Sequence, residues 1–133
     1  MKTVLFACVH NAGRSQMAAA LFNSLADPTK AHAVSAGTNP GPSVHPEVVA
    51  VMNELGMDLS VAPTTKLTSE LAGTANMLIT MGCGDECPYV PGVIRGDWPL
   101  EDPKGKSIDT VRSIREEIRR RVEGLIANER WAR

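Results

Sequence analysis

Aromatic side chains are scarce in this sequence of 133 residues, which holds two Trp, two Phe and one Tyr. An enzyme that binds an aromatic ring normally supplies rings of its own to pack against it, so the composition disfavours a pocket for phenyl groups. Long hydrophobic runs are also missing, since no apolar stretch approaches the roughly 20 residues needed to span a bilayer. The amino terminus enters a strand pattern rather than a signal peptide. We therefore expect a cytoplasmic protein with no membrane partner.

An excess of one charge is lacking as well. The chain has 14 basic and 15 acidic residues, for a net charge of −1, and its basic residues are spread along the sequence. A nucleic-acid-binding protein needs a broad positive field, so we expect no nucleic-acid partner. An anionic ligand would have to be attracted by a local arrangement of donors.

Cysteine is rare, and the three present are Cys8, Cys83 and Cys87. An odd number of thiols in a chain large enough to fold without disulfides indicates a reducing compartment, where cysteines are catalytic, redox-active, metal-bound or simply buried. The length and the 43% hydrophobic composition suit one compact domain. We expect a single domain over residues 1–133.

Strand and helix patterns alternate along the chain. Apolar runs predict strands at residues 3–7, 31–36, 77–80 and 93–96. Helices are predicted up to Asp27-Pro28, from Pro46 to Gly56, from Thr68 to near Gly73, and beyond the cap residue Ser107. Two inner helix faces are predicted: Val48, Val49, Met52 and Leu55 in the second helix, and Ile108, Val111, Ile114, Ile118, Val122 and Leu125 in the last.

Alternating strands and helices indicate the three-layer α/β class, with a central four-stranded parallel sheet flanked by helices. Ligands of such sheets collect at the carboxyl ends of the strands. Cys8, Gly37, Gly82 and Asp97 are all predicted to lie at such ends. Separate parts of the chain are therefore expected to converge on one site.

The most specific pattern begins at Cys8, where the first strand gives way to a loop and then to a helix. Gly13 lets the loop turn its backbone N–H groups inward, and the positive end of the helix points at the same place. Arg14 adds a planar fork of donors that matches a tetrahedral oxyanion. This surrounding field favours the thiolate form of a cysteine. The segment predicts a nucleophile inside an anion-binding cradle.

Three polar neighbours complete this loop. Ser15 is expected both to donate to the Cys8 sulfur and to cap the following helix. Asn11 is expected to adopt a left-handed backbone conformation and to tie the turn together. His10 is either a cationic neighbour of Cys8 or a residue that faces solvent.

The other two cysteines and Asp102 have several interpretations from their pattern alone. Cys83 and Cys87 would supply half of a zinc site that lacks an obvious second pair of ligands, or two buried thiols, or a redox pair that exchanges disulfides with Cys8. Asp102 is either a solvated loop residue or the general acid that a displacement at a tetrahedral centre requires. Asp97 is a weaker candidate that would orient the loop.

Residues 8–15, CVHNAGRS, resemble the phosphate loop of the low-molecular-weight tyrosine phosphatase family, and residues 15–18, SQMA, resemble its arsenate reductase branch. The resemblance continues through residues 35–37, 80–88 and 97–103, and so covers essentially the whole chain. It implies the fold of that family and Asp102 as general acid. It also implies an oxyanion-binding loop formed by Val9, His10, Asn11, Ala12, Gly13 and Arg14.

The same resemblance implies a reaction cycle. The Cys8 thiolate attacks arsenate held by Arg14 and the loop amides, while Asp102 protonates the departing oxygen. Cys83 then attacks the Cys8 sulfur and arsenite leaves, after which Cys87 attacks Cys83 and thioredoxin reduces the Cys83–Cys87 disulfide. No metal and no tightly bound cofactor is needed. The scheme requires a mobile segment around residues 82–92, for which Gly82, Gly84 and Gly92 would supply flexibility.

Three alternatives stay open at this point. A tyrosine phosphatase would share the nucleophile, but it is disfavoured by the scarcity of aromatics and by Lys104-Gly105 after Asp102-Pro103, where that branch commonly has an aromatic pair. A transferase would pass arsenate to mycothiol or glutathione and leave Cys83 and Cys87 without a role. An arsenite or oxyanion sensor would leave Asp102 unexplained.

Lys66 is expected to replace the potassium ion that some related reductases bind, so we expect no tight potassium site.

Overall fold

Strands and helices alternate along the chain in the predicted order. The computed structural model describes residues 1–82 and 90–133. Its elements are β1 (Lys2–Cys8), α1 (Arg14–Leu25), β2 (Ala31–Gly37), α2 (Pro46–Asn53), α3 (Ser69–Gly73), β3 (Met77–Thr80), β4 (Ile94–Asp97) and α4 (Ile108–Glu129).

The four strands form one parallel sheet in the order β2-β1-β3-β4. Strand β1 is central, with Ala7 opposite Ala36 of β2 on one side and opposite Thr80 of β3 on the other. The chain adds β2 on one side of β1 and then β3 and β4 on the other side, so the strand order reverses at β1. In parallel sheets such a switch point opens a crevice at the carboxyl ends of the strands. Cys8 is the last residue of β1 and lies at this crevice.

Strand β1 contributes to the core on both faces of the sheet, because successive side chains of a strand point to opposite sides. Val4 and Phe6 pack into the larger apolar cluster, which includes residues of α1, α2 and α4. Leu5 and Ala7 pack on the other face with Ala72 of α3. The result is the predicted three-layer arrangement with a four-stranded parallel sheet at its centre.

Helix α4 follows the predicted apolar face over most of its length. Ser107 caps it, since its hydroxyl accepts a hydrogen bond from the backbone N–H of Thr110 at 3.2 Å. The face runs through Val111, Ile114, Ile118 and Val122 and then through Ile126, all buried. One of the predicted inner positions is wrong, since Ile108 is 36% exposed, whereas Leu125 is partly buried and packs against the core. Ile126 lies four residues after Val122, a helical spacing that places its side chain on the same buried face as Val122.

Two smaller differences from the sequence pattern concern α2 and β4. Helix α2 ends at Asn53 rather than near the predicted Gly56, and its buried residues are Val48, Val51 and Met52. Val49, and Leu55 beyond the end of the helix, are only partly buried. Strand β4 begins one residue later than predicted because pairing with β3 starts at Ile94, opposite Met77. Within residues 1–82 and 90–133, no helix is both long and apolar enough to cross a membrane.

Candidate oxyanion site

The sulfur of Cys8 lies at the floor of the crevice at the end of β1. Cys8 is 2% exposed, and its carbonyl accepts a hydrogen bond of 3.1 Å from the N–H of Thr38, just after β2. The carbonyl of the preceding Ala7 accepts a bond of 2.7 Å from Met81, just after β3. The residues after both neighbouring strands therefore fix the position at which the oxyanion loop, residues 9–14, begins.

Six consecutive carbonyl groups, those of residues 8–13, accept hydrogen bonds of between 2.8 and 3.1 Å. The donors, in order, are the backbone N–H groups of Thr38, Asn39 and Gly41, the side-chain amide of Gln16, and the N–H groups of His45 and Met17. In a planar trans peptide the N–H group points opposite to the carbonyl. Carbonyls held from outside therefore turn the loop amides inward, where they can surround an anion.

Two glycines allow other segments to approach the loop closely. A Cβ atom at Gly37 would lie 2.5 Å from the carbonyl oxygen of Val9 and 2.7 Å from the nitrogen of Asn11. A Cβ atom at Gly13 would lie 2.6 Å from Cγ of Pro103. The loop is thus pressed between the end of β2 and the segment that carries Asp102.

Arg14 is buried and its guanidinium is held from the side opposite the loop. Its Nη1 donates to the carbonyl of Leu100 at 3.1 Å, and its Nη2 lies 3.9 Å from Oδ2 of Asp102. Gly82 packs against the same group, with a positive φ of 99°, and a Cβ atom there would overlap Nη1. The flexibility expected of Gly82 stays a prediction; the structure shows that its missing side chain also makes room for the guanidinium.

The thiol of Cys8 ends a short chain of polar side chains. Its Sγ lies 2.9 Å from Oγ of Ser15, and Nδ2 of Asn11 donates to the same Oγ at 2.8 Å. Oγ keeps its own hydrogen while it accepts from Asn11, so it can donate to the sulfur when Cys8 is a thiolate, which has no hydrogen to give. Asn11 has the predicted left-handed backbone, with a φ of 50°.

The prediction that Ser15 also caps α1 is wrong. The N-cap position is Gly13, without a side-chain cap hydrogen bond, and Ser15 lies inside the first turn of the helix. Its hydroxyl is occupied by Cys8 and Asn11 and so is not available to the free N–H groups of that turn. Those groups stay available to a ligand in the loop.

Asp102 lies at the mouth of the site with its side chain 47% exposed. Its Oδ1 accepts a hydrogen bond of 3.0 Å from the N–H of Lys104, which fixes the carboxylate while Oδ2 faces Arg14. Asp97, the weaker candidate, accepts a bond of 2.7 Å from Oγ1 of Thr80 and so joins the ends of β3 and β4.

A cavity of about 420 Å³ opens beside the loop and is lined by His10, His45 and Lys104 among other residues. Nδ1 of His10 lies 3.1 Å from the carbonyl oxygen of Asn39, so this nitrogen carries the hydrogen. Burial lowers the pKa of His45, although the carboxylate of Asp102 acts in the opposite direction. None of the described residues lining the cavity is Phe, Tyr or Trp.

Cys83 and Cys87 lie outside the described residues. The sequence patterns also gave no role to Gln16 or Thr65, which both bond to Asn11. No local signal identifies Thr65, because Asn11 lies 54 residues away from it, and the second partner of Gln16, Pro63, lies 47 residues away. The sequence indicates a role for Gln16 only in that a polar residue stands in the buried first turn of α1.

Comparison with known proteins agrees with this geometry. Residues 3–87 match the family model described as low molecular weight phosphotyrosine protein phosphatase. The chain belongs to this family. It is 37% identical over 130 residues to the glutaredoxin arsenate reductase of Synechocystis sp., covering 96% of this chain and 98% of that protein. It is also 37% identical over 126 residues to a putative arsenate reductase of Halobacterium salinarum, covering 90% of this chain and 87% of that protein.

Solved structures of this family superpose closely on the chain. A thioredoxin-dependent arsenate reductase of Corynebacterium glutamicum has a TM-score of 0.83 and 39% identity; the match covers 96% of this chain and spans 61% of that longer one. An arsenate reductase in the phosphate-binding state has a TM-score of 0.82 and 35% identity, covering 96% of this chain and 98% of the other. The family members similar to this chain therefore include arsenate reductases.

Proposed function

We propose that this chain reduces arsenate to arsenite, with Cys8 as nucleophile and a disulfide relay through Cys83 and Cys87 that thioredoxin regenerates. The observation that carries the proposal is the buried Cys8 sulfur, 2.9 Å from the Ser15 hydroxyl, at the floor of a loop whose carbonyls all point outward. The relatives named arsenate reductases support arsenate as the substrate.

The first step forms a bond between sulfur and arsenic. The loop amides and the guanidinium of Arg14 hold the oxyanion. The Ser15 hydroxyl stabilises the negative charge of the Cys8 thiolate until the S–As bond forms. One As–O bond breaks, and Asp102 donates the proton with which that oxygen leaves as water. The half-exposed position of Asp102 allows it to recover a proton from solvent.

The second stage transfers two electrons to arsenic. The Cys83 thiolate attacks Sγ of Cys8, an S–S bond forms, and the electron pair of the S–As bond stays on arsenic, which leaves as arsenite. Cys87 then attacks Cys83 and releases Cys8 as a thiolate. Two thiols of thioredoxin reduce the Cys83–Cys87 disulfide. These steps rest on the sequence and on the relatives, and they need neither a metal nor a tightly bound cofactor.

The name of the Synechocystis relative, glutaredoxin arsenate reductase, favours a second candidate. In that scheme a small thiol, glutathione or mycothiol, attacks arsenic and displaces the Cys8 thiolate; a second thiol then attacks the sulfur of this new adduct, a disulfide forms, and the electron pair of the S–As bond leaves with arsenic as arsenite. The nucleophile, the oxyanion loop and the acid would be the same. The two schemes differ in whether Cys83 and Cys87 are needed.

One coupled assay separates these possibilities. Arsenate is supplied with thioredoxin, thioredoxin reductase and NADPH, and the wild type is compared with Cys87→Ser; parallel reactions use glutaredoxin with glutathione, and mycothiol. NADPH oxidation that disappears in Cys87→Ser supports the relay, and unchanged turnover with a small thiol supports the second candidate. Hydrolysis of para-nitrophenyl phosphate faster than arsenate reduction would instead indicate a phosphatase.

Asp102→Asn tests whether the site performs chemistry or only binds. The substitution keeps the shape of the side chain and removes the proton that the departing oxygen requires. We expect turnover to fall by about 10²- to 10⁴-fold, the usual contribution of a general acid, while phosphate still binds. Full turnover in Asp102→Asn would remove this residue from the mechanism. Tight arsenite binding without turnover in the wild type would indicate a sensor.

A further inference from the structure

Gln16, in the first turn of α1, places a side-chain amide beneath the oxyanion loop. Its side chain is buried, and the whole residue is 6% exposed. Nε2 donates to three oxygens: the backbone carbonyl of Asn11 at 3.1 Å, Oδ1 of Asn11 at 3.3 Å, and the carbonyl of Pro63 at 2.8 Å. An amide has two hydrogens to donate, so one of them is shared between two acceptors and none is left over. Nothing in the proposed reaction touches this group directly.

The effect of Gln16 is to set the orientation of the Asn11 amide. Oδ1 of Asn11 accepts from Gln16 and also from the N–H of Thr65 at 2.8 Å. An inverted Asn11 amide would place its NH₂ group against two donors, which is unfavourable in a buried site. The NH₂ group is therefore turned toward Ser15, whose Oγ accepts from it at 2.8 Å.

This orientation leaves the Ser15 hydrogen free to bond to sulfur. A hydroxyl has one hydrogen and two lone pairs, so an Oγ that accepts from Asn11 can bond to Sγ of Cys8, at 2.9 Å, in either direction. A thiolate has no hydrogen to donate, so the Ser15 hydroxyl is the donor when Cys8 is ionised. The hydrogen bonds from Gln16 to Asn11, from Asn11 to Ser15 and from Ser15 to the thiolate then all run in the same direction.

We propose that Gln16 is a positioning residue for the nucleophile, which acts through Asn11 and Ser15 to keep a hydroxyl donor on the Cys8 thiolate. The proposal rests on the proposed function only in taking Cys8 as the nucleophile. It predicts that Gln16 increases reactivity at the sulfur without any contact to the oxyanion.

The test measures the reactivity of the sulfur rather than arsenate turnover. Cys83→Ser with Cys87→Ser leaves Cys8 as the single thiol of the three, and its alkylation by iodoacetamide is followed as a function of pH. Gln16→Met keeps the length of the side chain and removes both donors. We expect alkylation at about pH 6 to slow about tenfold, because the variant weakens the hydrogen bond from Ser15 to the Cys8 thiolate and a bond to a charged group has an effect of this size. The rates should converge at alkaline pH, where the thiol ionises without help.

Asn23→Leu provides a matched control on the same helix. Its amide also bonds to backbone, donating to the carbonyl of Ala33 at 3.0 Å and accepting from its N–H at 2.8 Å, but it has no contact with Asn11. We expect this variant to lose thermal stability without any change in the pH profile. A loss of stability alone therefore cannot imitate the effect predicted for Gln16.

Alkylation profiles that coincide for Gln16→Met and the parent protein would overturn the proposal. If Gln16→Met does not fold, Gln16→Glu tests the same step, because an ionised carboxylate accepts where the amide donated; a profile equal to that of the parent would again overturn it. The proposed function fails separately, through the absence of arsenate-dependent NADPH oxidation in the wild type. That result would leave the alkylation experiment valid.

Discussion

Replacement of Gly82 by alanine should weaken oxyanion binding much more than it weakens folding. Gly82 has a φ of 99°, and a Cβ atom there would overlap Nη1 of Arg14. The overlapped atom is the far end of a flexible side chain, so the clash is relieved by moving the guanidinium. Movement of Arg14 breaks its bond to the carbonyl of Leu100 and withdraws its donors from the loop.

The two costs have different sizes. An L-residue with a left-handed backbone costs about 1–2 kcal/mol in folding, which corresponds to a decrease in Tm of about 5 °C for a chain of this size. A hydrogen bond to a charged group contributes about 1.5–3 kcal/mol. Loss of a two-point contact from Arg14 to the anion should then cost about 3 kcal/mol, or about a hundredfold in Kd.

Calorimetric titration with phosphate and a thermal melt measure the two costs separately. Gly56→Ala is the matched control, because Gly56 has a φ of 77° and a Cβ atom there would meet nothing within 4 Å. We expect both variants to lose stability, Gly82→Ala somewhat more because it also breaks the hydrogen bond from Arg14 to Leu100, with the affinity for phosphate reduced only in Gly82→Ala. Wild-type affinity in Gly82→Ala would refute the view that this glycine makes room for the guanidinium.

Three further predictions concern stability. Gly37→Ala should cost about 1–3 kcal/mol in a denaturant melt, because its Cβ would lie 2.5 Å from a backbone oxygen that cannot easily move; a cost near zero would contradict the close approach. Hydrogen bonds from Arg112 and Arg115 lower the pKa of Glu54 to about 2, from the usual 4.5 of a glutamate. Since the pKa of Glu54 is lower in the folded chain than in the unfolded chain, the stabilisation is present above about pH 4.5 and is lost as the pH falls through about 2. Glu54→Gln should therefore lower Tm at neutral pH, with a difference from wild type that vanishes near the folded-state pKa; a pH-independent difference would argue against the ion pairs. Lys66 donates to the carbonyl of Thr38, so KCl and NaCl should give the same Tm, and a rise specific to potassium would contradict the role expected for Lys66.

The order of the elements could be predicted because it depends on local patterns. Apolar runs marked the strands, and two helix starts had residues suited to capping: Thr68 accepts from the N–H of Leu71 in α3, and Ser107 caps α4. The Cys8 loop was recognisable for the same reason, since its residues are contiguous. The predicted left-handed conformation of Asn11 also follows from the residue type alone.

Interactions between distant segments could not be predicted in this way. Gln16 bonds to the carbonyl of Pro63, 47 residues further along the chain, and nothing near Gln16 in the sequence indicates that partner. Glycine permits both flexibility and close approach, so the sequence predicts flexibility at Gly82 and does not indicate that its missing side chain makes room for Arg14. Ser15 failed as a cap for a similar reason, because Cys8 and Asn11 take its hydroxyl in the folded chain.

The outward carbonyls of residues 8–13 have a consequence for substrate choice. Because each is fixed by a partner within the protein, we expect the loop to keep its shape when an anion binds and to recognise tetrahedral geometry and charge. Phosphate and arsenate share both, so phosphate should compete at equilibrium. Under the proposed function, selection between the two elements falls on the later step at sulfur, since thiols reduce arsenic(V) to arsenic(III) and do not reduce phosphorus(V).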